Sequence, residues 1–156
     1  MNNAILNKMK KLIITFLILL AFVSIKAQIL KPVKWSYAAK TMSNGEASVF
    51  LKAIIDDGWH IYSTKQKDGG PVKTLFSFGK SPEYFLIGKL IEPPSMTRFE
   101  KTFDMDVQYF ERSVVFQQKI KIKSSPTTVK GKLEFMVCNR EKCLPPEEIE
   151  FSIPVK

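Results

Sequence analysis

The chain has 156 residues, which suits a single domain, with 24 basic and 15 acidic side chains, a net charge of +9 and two cysteines. Two cysteines are too few for a disulfide-dense scaffold. A structural zinc site uses four Cys or His ligands, and this sequence has only Cys138, Cys143 and His60. The one histidine has no GxSxG motif near it, so the pattern supports no serine triad.

The first residues are typical of a signal peptide. Three lysines between residues 8 and 11 precede an apolar run from Leu12 to Ile25. This run is shorter than the about 20 residues that a membrane-spanning helix needs. We therefore predict a signal peptide over residues 1–27, cleaved after Ala27, and an exported, periplasmic domain over residues 28–156. An uncleaved membrane anchor is the alternative.

The predicted signal peptide carries four lysines and no acid, so residues 28–156 have 20 basic and 15 acidic side chains, a net charge of +5. These lysines are spread along the chain and form no dense run. A nucleic-acid-binding domain needs a clustered basic face. We interpret the lysines as solvent-facing residues of strands and expect no nucleic-acid partner.

Period-two alternation predicts two strands at the start of the domain, Val33–Thr41 and Glu46–Ile55. Ser43-Asn44-Gly45 between them predicts a hairpin turn, because Asn and Gly tolerate the positive φ of such turns. In the second strand the residues from Ala47 to Ile55 alternate onto one apolar face, with Phe50 and Ile54 as exceptions on the other face.

The rest of the domain has the same short apolar alternation. Turn signals separate most of the segments, and none of them has sustained helical periodicity, so about eight strands in a β-sandwich or barrel are expected. The further predicted strands are Trp59–Ser63, Lys73–Phe78, Tyr84–Ile91, Ser113–Lys123, Val129–Val137 and a last strand that places Ile149, Phe151, Ile153 and Val155 inward.

The segment Glu92–Asp106 lacks clean alternation and begins with Pro93-Pro94. Connections of this length are uncommon in compact domains and are often functional. This one is apolar for a loop, since it holds Met96, Phe99, Phe103 and Met105. It is predicted to be a loop that either packs on the end of the sandwich as ordinary core or covers a site.

Cys138 ends a predicted strand, and Cys143 follows after the polar turn Asn-Arg-Glu-Lys and precedes Leu144-Pro145-Pro146. A turn of this length brings the two residues easily within disulfide distance. In the chain-entropy model such a short loop contributes only about 2 kcal/mol of stability. On spacing alone a structural bond and an exchanging bond are both open, because CxxxxC is less specific than CxxC.

Three segments together resemble the N-terminal periplasmic domain of the thiol–disulfide interchange protein DsbD: VCNREKCLPPEEIEF, DDGWHIYS and FEKTFDMDVQYFERSVVF. The resemblance covers nearly all of residues 28–156, and C-x(4)-C-L-P-P before a strand is its most specific part. It implies an all-β, immunoglobulin-like antiparallel β-sandwich with one redox-active cysteine pair.

The resemblance also implies roles for individual residues. Cys143 would form the mixed disulfide with partners, and Cys138 would resolve it. Phe103 matches the aromatic that shields the pair in the family, and Phe99 is placed with it in the cap. His60 and Tyr62 match a family strand near the cysteines, where either side chain could bind a thiolate or move a proton; an exposed or packed strand pair is the alternative.

The partners that the resemblance implies are thioredoxin-like periplasmic proteins and a separate membrane electron donor, with no cofactor. The chain would thus be a component of a protein-disulfide reductase. Two other functions stay open: an exported binding or assembly module with a structural disulfide, and a chaperone-like domain that uses its apolar loop. The family's best-known members have one more residue between the cysteines, so the redox poise of this pair is not implied.

Overall fold

The computed structural model describes residues 7–12, which are helical, and residues 30–156. Most of the predicted signal peptide, with its cleavage point, falls outside the described residues. No helix in the described part of the chain is long and apolar enough to cross a membrane. Lys31–Lys156 is a compact unit, and the main core comes from residues within it.

The described residues form eleven β-strands, which pair antiparallel in three sheets with the orders β1-β2-β8-β5, β10-β3-β7-β6 and β11-β9-β4. The strands are β1 Val33–Thr41, β2 Glu46–Ile55, β3 His60–Tyr62, β4 Leu75–Phe78, β5 Tyr84–Ile91, β6 Met96–Glu100, β7 Met105–Glu111, β8 Ser113–Ile122, β9 Thr127–Phe135, β10 Val137–Cys138 and β11 Glu147–Val155.

The core lies between the sheet β1-β2-β8-β5 and the sheet β11-β9-β4. Leu51 and Phe116 come from the first sheet, Leu133 and Ile153 from the second, and all four are at most 1% exposed. Every second residue of these strands points inward, because successive side chains of a strand alternate between its faces. The arrangement is the predicted immunoglobulin-like β-sandwich.

Sequence alternation correctly gave the bounds and faces of several strands. β1, β2 and β5 have the predicted ends. On β2 the predicted inward residues are buried, and the predicted exception Ile54 is 46% exposed. The β1–β2 turn has Gly45 at φ +73°, as the Asn-Gly signal requires.

Two predictions about strands were wrong. The segment Glu92–Asp106 is no loop: most of it belongs to a β-hairpin of β6 and β7. The predicted strand Val129–Val137 is interrupted, because β9 ends at Phe135 and β10 pairs with β3 in a different sheet. The described residues therefore hold more strands than the eight expected.

The third sheet, β10-β3-β7-β6, is buried on both faces near its centre. Ile61, Phe110 and Val137 point into the main core. Tyr62, Val107 and Cys138 point the other way and form a second, smaller cluster. This sheet therefore joins the core of the sandwich to the cysteine pair.

Gly131 on β9 leaves room for two aromatic rings, which come from the strands on either side of it and contact each other. It pairs with Phe78 on one side and Phe151 on the other, and their ring centroids are 5.5 Å apart. A Cβ at this position would overlap the Ser77 carbonyl oxygen and lie 2.5 Å from Phe151 Cζ.

Replacing Gly131 with alanine should therefore destabilise the domain by about 2 kcal/mol or more, since backbone and a buried ring must both shift. Urea denaturation of Gly131→Ala would measure this. Lys130→Ala, at the exposed neighbouring position, is the control and should change the free energy of unfolding by less than about 0.5 kcal/mol. Equal effects of the two substitutions would contradict the packing argument.

Candidate functional site

Cys138 and Cys143 form a disulfide with a Cα–Cα distance of 4.0 Å. The two residues lie opposite each other in an antiparallel bridge. Backbone bonds flank the pair on both sides: Asn139 N–H donates to Lys142 O at 2.9 Å, and Leu144 N–H donates to Val137 O at 2.9 Å. The cysteines thus occupy a non-hydrogen-bonded pair position, where opposing side chains come closest.

The Asn139 side chain closes the turn between the cysteines. Its Oδ1 accepts hydrogen bonds from the backbone N–H groups of Glu141 at 2.9 Å and Lys142 at 2.8 Å. Asn is suited to this role because its short side chain can imitate a backbone carbonyl. The disulfide is therefore presented on a short, internally bonded turn.

The two cysteines differ sharply in exposure. Cys138 is 1% exposed, and it packs in the second cluster with Tyr62 and Val107. Cys143 is exposed. Access to sulfur is one determinant of thiol–disulfide exchange, so the geometry makes Cys143 the more open of the two to an incoming molecule.

One face of the sheet β10-β3-β7-β6 carries the residues around Cys138. Cys138 pairs with His60, and Tyr62 pairs with Tyr109. Pairing partners share a face, and so do residues two apart on one strand. The side chains gathered on this face are Cys138, His60, Tyr62, Met105, Val107, Tyr109, Glu111, Met96, Arg98 and Glu100.

Phe103 lies in the turn Lys101–Asp104 that joins β6 to β7. Its N–H donates to Glu100 O at 3.1 Å, and Asp104 takes a positive φ of 52° as the chain enters β7. The Phe103 side chain is half-buried against the cluster that contains Cys138. With Tyr62, Glu100, Thr102 and the whole 138–143 turn, it lines a cleft of about 330 Å³.

Phe99 lies elsewhere. It pairs with Asp106, on the face of β6 opposite to Arg98 and Glu100, and it is 57% exposed. It does not line the cysteine cleft described above. Phe99 was predicted to lie in the cap with Phe103 because the segment was interpreted as a loop. In the strand β6 successive side chains alternate, so Arg98 and Glu100 face the cysteines and Phe99 faces away.

His60 and Tyr62 are joined in a polar network beside the cysteines. His60 Nε2 lies 3.2 Å from Tyr62 Oη and 2.9 Å from Arg98 Nη2. Arg98 also binds Glu100 Oε2, at 3.0 Å, and stacks 4.5 Å above the Tyr109 ring. Because arginine can only donate, His60 Nε2 must accept, so the imidazole is neutral with its proton on Nδ1.

The electrostatics of the network keep both groups uncharged. Burial, followed by the Arg98 guanidinium, lowers the pKa of His60 from 6.5 to about 4. Burial, followed by the Glu100 carboxylate, raises the pKa of Tyr62 to about 12, with Arg98 acting in the opposite direction. At neutral pH Tyr62 thus keeps its proton, and because His60 Nε2 only accepts, the Tyr62 hydroxyl donates to it.

A buried carboxylate fixes the start of the segment that carries the cap hairpin, which we define as β6, the turn Lys101–Asp104 and β7. The Glu92 side chain is 1% exposed. It accepts hydrogen bonds from Ser63 Oγ at 2.6 Å and from Thr64 N and Oγ1 at 3.0 and 2.9 Å, and it pairs with Lys65 at 3.5 Å. These bonds tie the segment to the chain just after β3.

Sequence reasoning missed Arg98, Glu100 and Glu92. Each lies in the segment that was interpreted as a loop, where a charged residue carries no signal. A predicted hairpin would have placed Arg98 and Glu100 on one strand face with Phe103 beyond them in the turn. In the described part of the chain, no group of three or more His, Cys, Asp and Glu side chains is placed to hold a metal ion.

The lowered pKa of His60 predicts a pH-dependent stability. Between about pH 6.5 and 4 the unfolded chain binds a proton at His60 that the folded chain does not, so the free energy of unfolding should fall by about 2–3 kcal/mol as the pH drops through this window. Urea denaturation at a series of pH values would measure the loss. His60→Gln keeps an acceptor for Arg98 and should remove this contribution; the same pH slope in both proteins would contradict the assignment.

Residues 26–154 match the family described as "Thiol:disulfide interchange protein DsbD, N-terminal". A comparison with curated protein sequences gives no significant match.

Solved structures of similar fold include the Neisseria meningitidis DsbD N-terminal domain in its reduced form, with 16% identity and a TM-score of 0.57 over 81% of this chain and 90% of that one. The N-terminal periplasmic domain of ScsB from Proteus mirabilis has 19% identity and a TM-score of 0.58 over 81% of this chain and 47% of that one.

A third similar structure describes the complex between the DsbD and PilB N-terminal domains of Neisseria meningitidis, with 15% identity and a TM-score of 0.52 over 80% of this chain and 87% of that one. These likenesses show the same sandwich fold. With the match over residues 26–154, they establish that the chain belongs to the family of DsbD N-terminal domains.

Proposed function

We propose that this domain carries out thiol–disulfide interchange, passing reducing equivalents between a donor and exported oxidoreductases through Cys138 and Cys143. The observation that carries the proposal is a disulfide with one buried and one exposed cysteine, in a chain of the DsbD N-terminal family. A disulfide that closes a loop this short stabilises the fold by only about 2 kcal/mol in the chain-entropy model, so a purely structural role would contribute little to stability.

The proposed chemistry starts from the reduced domain. The Cys143 thiolate attacks one sulfur of the partner's disulfide, and the partner's other sulfur leaves with the electron pair and takes up a proton. The Cys138 thiolate then attacks Cys143 Sγ, which re-forms the Cys138–Cys143 bond. The partner leaves as a dithiol, so two electrons and two protons have passed to it.

The exposure of the two cysteines supports Cys143 as the attacking thiol and Cys138 as the resolving thiol. Only Cys143 is exposed enough to approach a sulfur in another protein. Cys138 is buried directly opposite it, and an internal attack on Cys143 needs no access from outside. Tyr62 lies on the same cleft as a neutral donor. Its hydroxyl proton, which His60 Nε2 accepts in the disulfide form, would turn to a thiolate on the cleft when the cysteine pair is reduced.

We also infer that residues 1–27 act as a signal peptide and that the domain works in the periplasm, as the apolar run from Leu12 to Ile25 supports. The partners would be thioredoxin-like proteins and a membrane electron donor. A structural relative in this family forms a complex with another protein domain, which supports docking of a partner protein.

The two cysteines should differ when each is replaced by serine. Cys138→Ser leaves Cys143 able to attack but removes the resolving thiol, so mixed disulfides with a thioredoxin-like partner should accumulate about tenfold or more over Cys143→Ser. Non-reducing gels after incubation with an oxidised periplasmic thioredoxin-like protein would measure this. The reverse pattern would exchange the two roles.

The control for this experiment is the wild-type disulfide. Titration with a glutathione or dithiothreitol series and thiol labelling should open it in the folded domain, whereas structural disulfides typically resist reduction to potentials below about −300 mV. A bond that opens only when the domain unfolds would make the disulfide structural and the protein a binding module.

Phe103 is proposed to cap the disulfide, because its ring lines the cleft and packs against the cluster that contains Cys138. Phe103→Ala should speed the reaction of the oxidised domain with a small thiol by about threefold or more, since exchange depends on access to sulfur. The loss of stability should be smaller than the about 3–5 kcal/mol of a truncated core Phe. Stopped-flow kinetics and urea denaturation would measure both.

Phe99→Ala is the matched control, because Phe99 lies on the same hairpin but points away from the cleft. Its thiol reactivity should equal that of the wild type. If Phe103→Ala leaves reactivity unchanged and costs as much stability as a core truncation, Phe103 is an ordinary core residue.

A further inference from the structure

One sheet carries the whole net charge of residues 28–156. The strands β1, β2, β5 and β8 hold six lysines and one glutamate, a net charge of +5. The other residues between 28 and 156 hold 14 basic and 14 acidic side chains, which sum to zero. The fold therefore brings six lysines that are scattered in the sequence together on a single sheet.

Five of these lysines point outward from the sandwich. They occupy alternate positions to the buried residues of their strands, and pairing partners share a face. Lys40 and Lys119 both pair with Ser48, one from each side, and form a row across the sheet with it. Lys52 and Val115 pair in a second row. The outward lysines are Lys34, Lys40, Lys52, Lys119 and Lys121, and Lys89 lies on the edge strand β5.

These lysines are not neutralised. Within the described residues, none of the six forms an ion pair with a carboxylate. Glu46 is the one acid on the four strands; it lies at the end of β2 opposite Lys121, and with it included the strands keep a net charge of +5. The surface, which we call the lysine face, therefore projects a net positive field.

Exposed apolar side chains lie between the lysines. Ile54, Phe85, Ile91 and Val115 are 46%, 49%, 48% and 42% exposed, and all four share the lysine face by pairing register. Rows of the sheet repeat every two residues, about 7 Å, and strands about 4.8 Å apart, so the mixture covers a broad sheet surface rather than a groove.

We propose that the lysine face binds the surface of an anionic phospholipid bilayer. Lysines near such a surface are attracted to lipid phosphates, and apolar side chains among them enter the boundary between headgroups and acyl chains. Binding at this face does not involve the cysteines, which lie in and beside another sheet. The inference does not depend on the proposed thiol chemistry.

The composition of the lysine face favours lipid over a protein or a nucleic acid. Its four strands hold no arginine, the residue that suits bidentate recognition of carboxylates and single phosphates. Lysine is a compact, strongly hydrated charge on a flexible stem, which suits a fluid layer of headgroups without fixed geometry.

The test is vesicle co-sedimentation of residues 31–156, the compact unit with its own core, so that the apolar N-terminal run cannot bind lipid itself. Vesicles of phosphatidylcholine with phosphatidylglycerol are compared with pure phosphatidylcholine at low and high salt. Each lysine near the surface contributes about fivefold in partitioning, so Lys34→Gln/Lys52→Gln/Lys119→Gln should weaken binding to the anionic vesicles by at least about tenfold.

The matched control removes three exposed lysines from elsewhere in the domain, Lys67→Gln/Lys80→Gln/Lys130→Gln, with the same change in net charge. It should bind within about twofold of the wild type, whereas Phe85→Ser should weaken binding with the charge intact. Circular dichroism would check that each variant is folded.

Equal losses in the two triple variants would overturn the proposal, because the binding would then reflect net charge and not the lysine face. Absence of wild-type binding to anionic vesicles, or equal binding to neutral ones, would overturn it as well. If the wild type does not bind anionic vesicles, an acidic protein becomes the occupant to seek, by binding assays with the same two triple variants.

Discussion

The sheet β10-β3-β7-β6 must bury side chains on both faces, and the arrangement of the site follows from this constraint. In β3 three consecutive residues, His60, Ile61 and Tyr62, are buried, which is possible only between two packed layers. Ile61 contacts the main core, while His60 and Tyr62 face the cysteine side. Cys138 is therefore held by strands that are themselves fixed by the sandwich, and its position cannot shift without disturbing the core.

The polar side chains on the cysteine side of this sheet bind one another instead of water. The Arg98 guanidinium lies between His60 and Glu100, so a cation, an anion and a neutral imidazole share one half-buried network. Charges removed from water are tolerated when each polar atom has a partner. On the cysteine cleft the network presents the neutral Tyr62 hydroxyl and the Glu100 carboxylate, whose charge is paired with Arg98.

The sequence predicted the sandwich and the cysteine turn well because both have local signals. Alternation in Glu46–Ile55 and the Asn44-Gly45 turn are readable from neighbouring residues alone. The cap hairpin was not predictable in this way, because its two strands carry charged and apolar residues on both faces. The clustering of Lys40, Lys52 and Lys119 depends on strand order, which brings β8 beside β2, and no single segment reveals it.

The anchoring of the cap hairpin at its base limits what a docking partner would have to disturb. Glu92 holds the entry to the hairpin and Arg98 ties β6 to β3, whereas Phe103 lies in the four-residue turn at the tip, beyond these bonds. A partner that displaced Phe103 would replace one ring contact with another and leave the hydrogen-bonded strands intact. Association would then cost little and gain little, which suits the short-lived contacts between proteins that thiol–disulfide interchange requires.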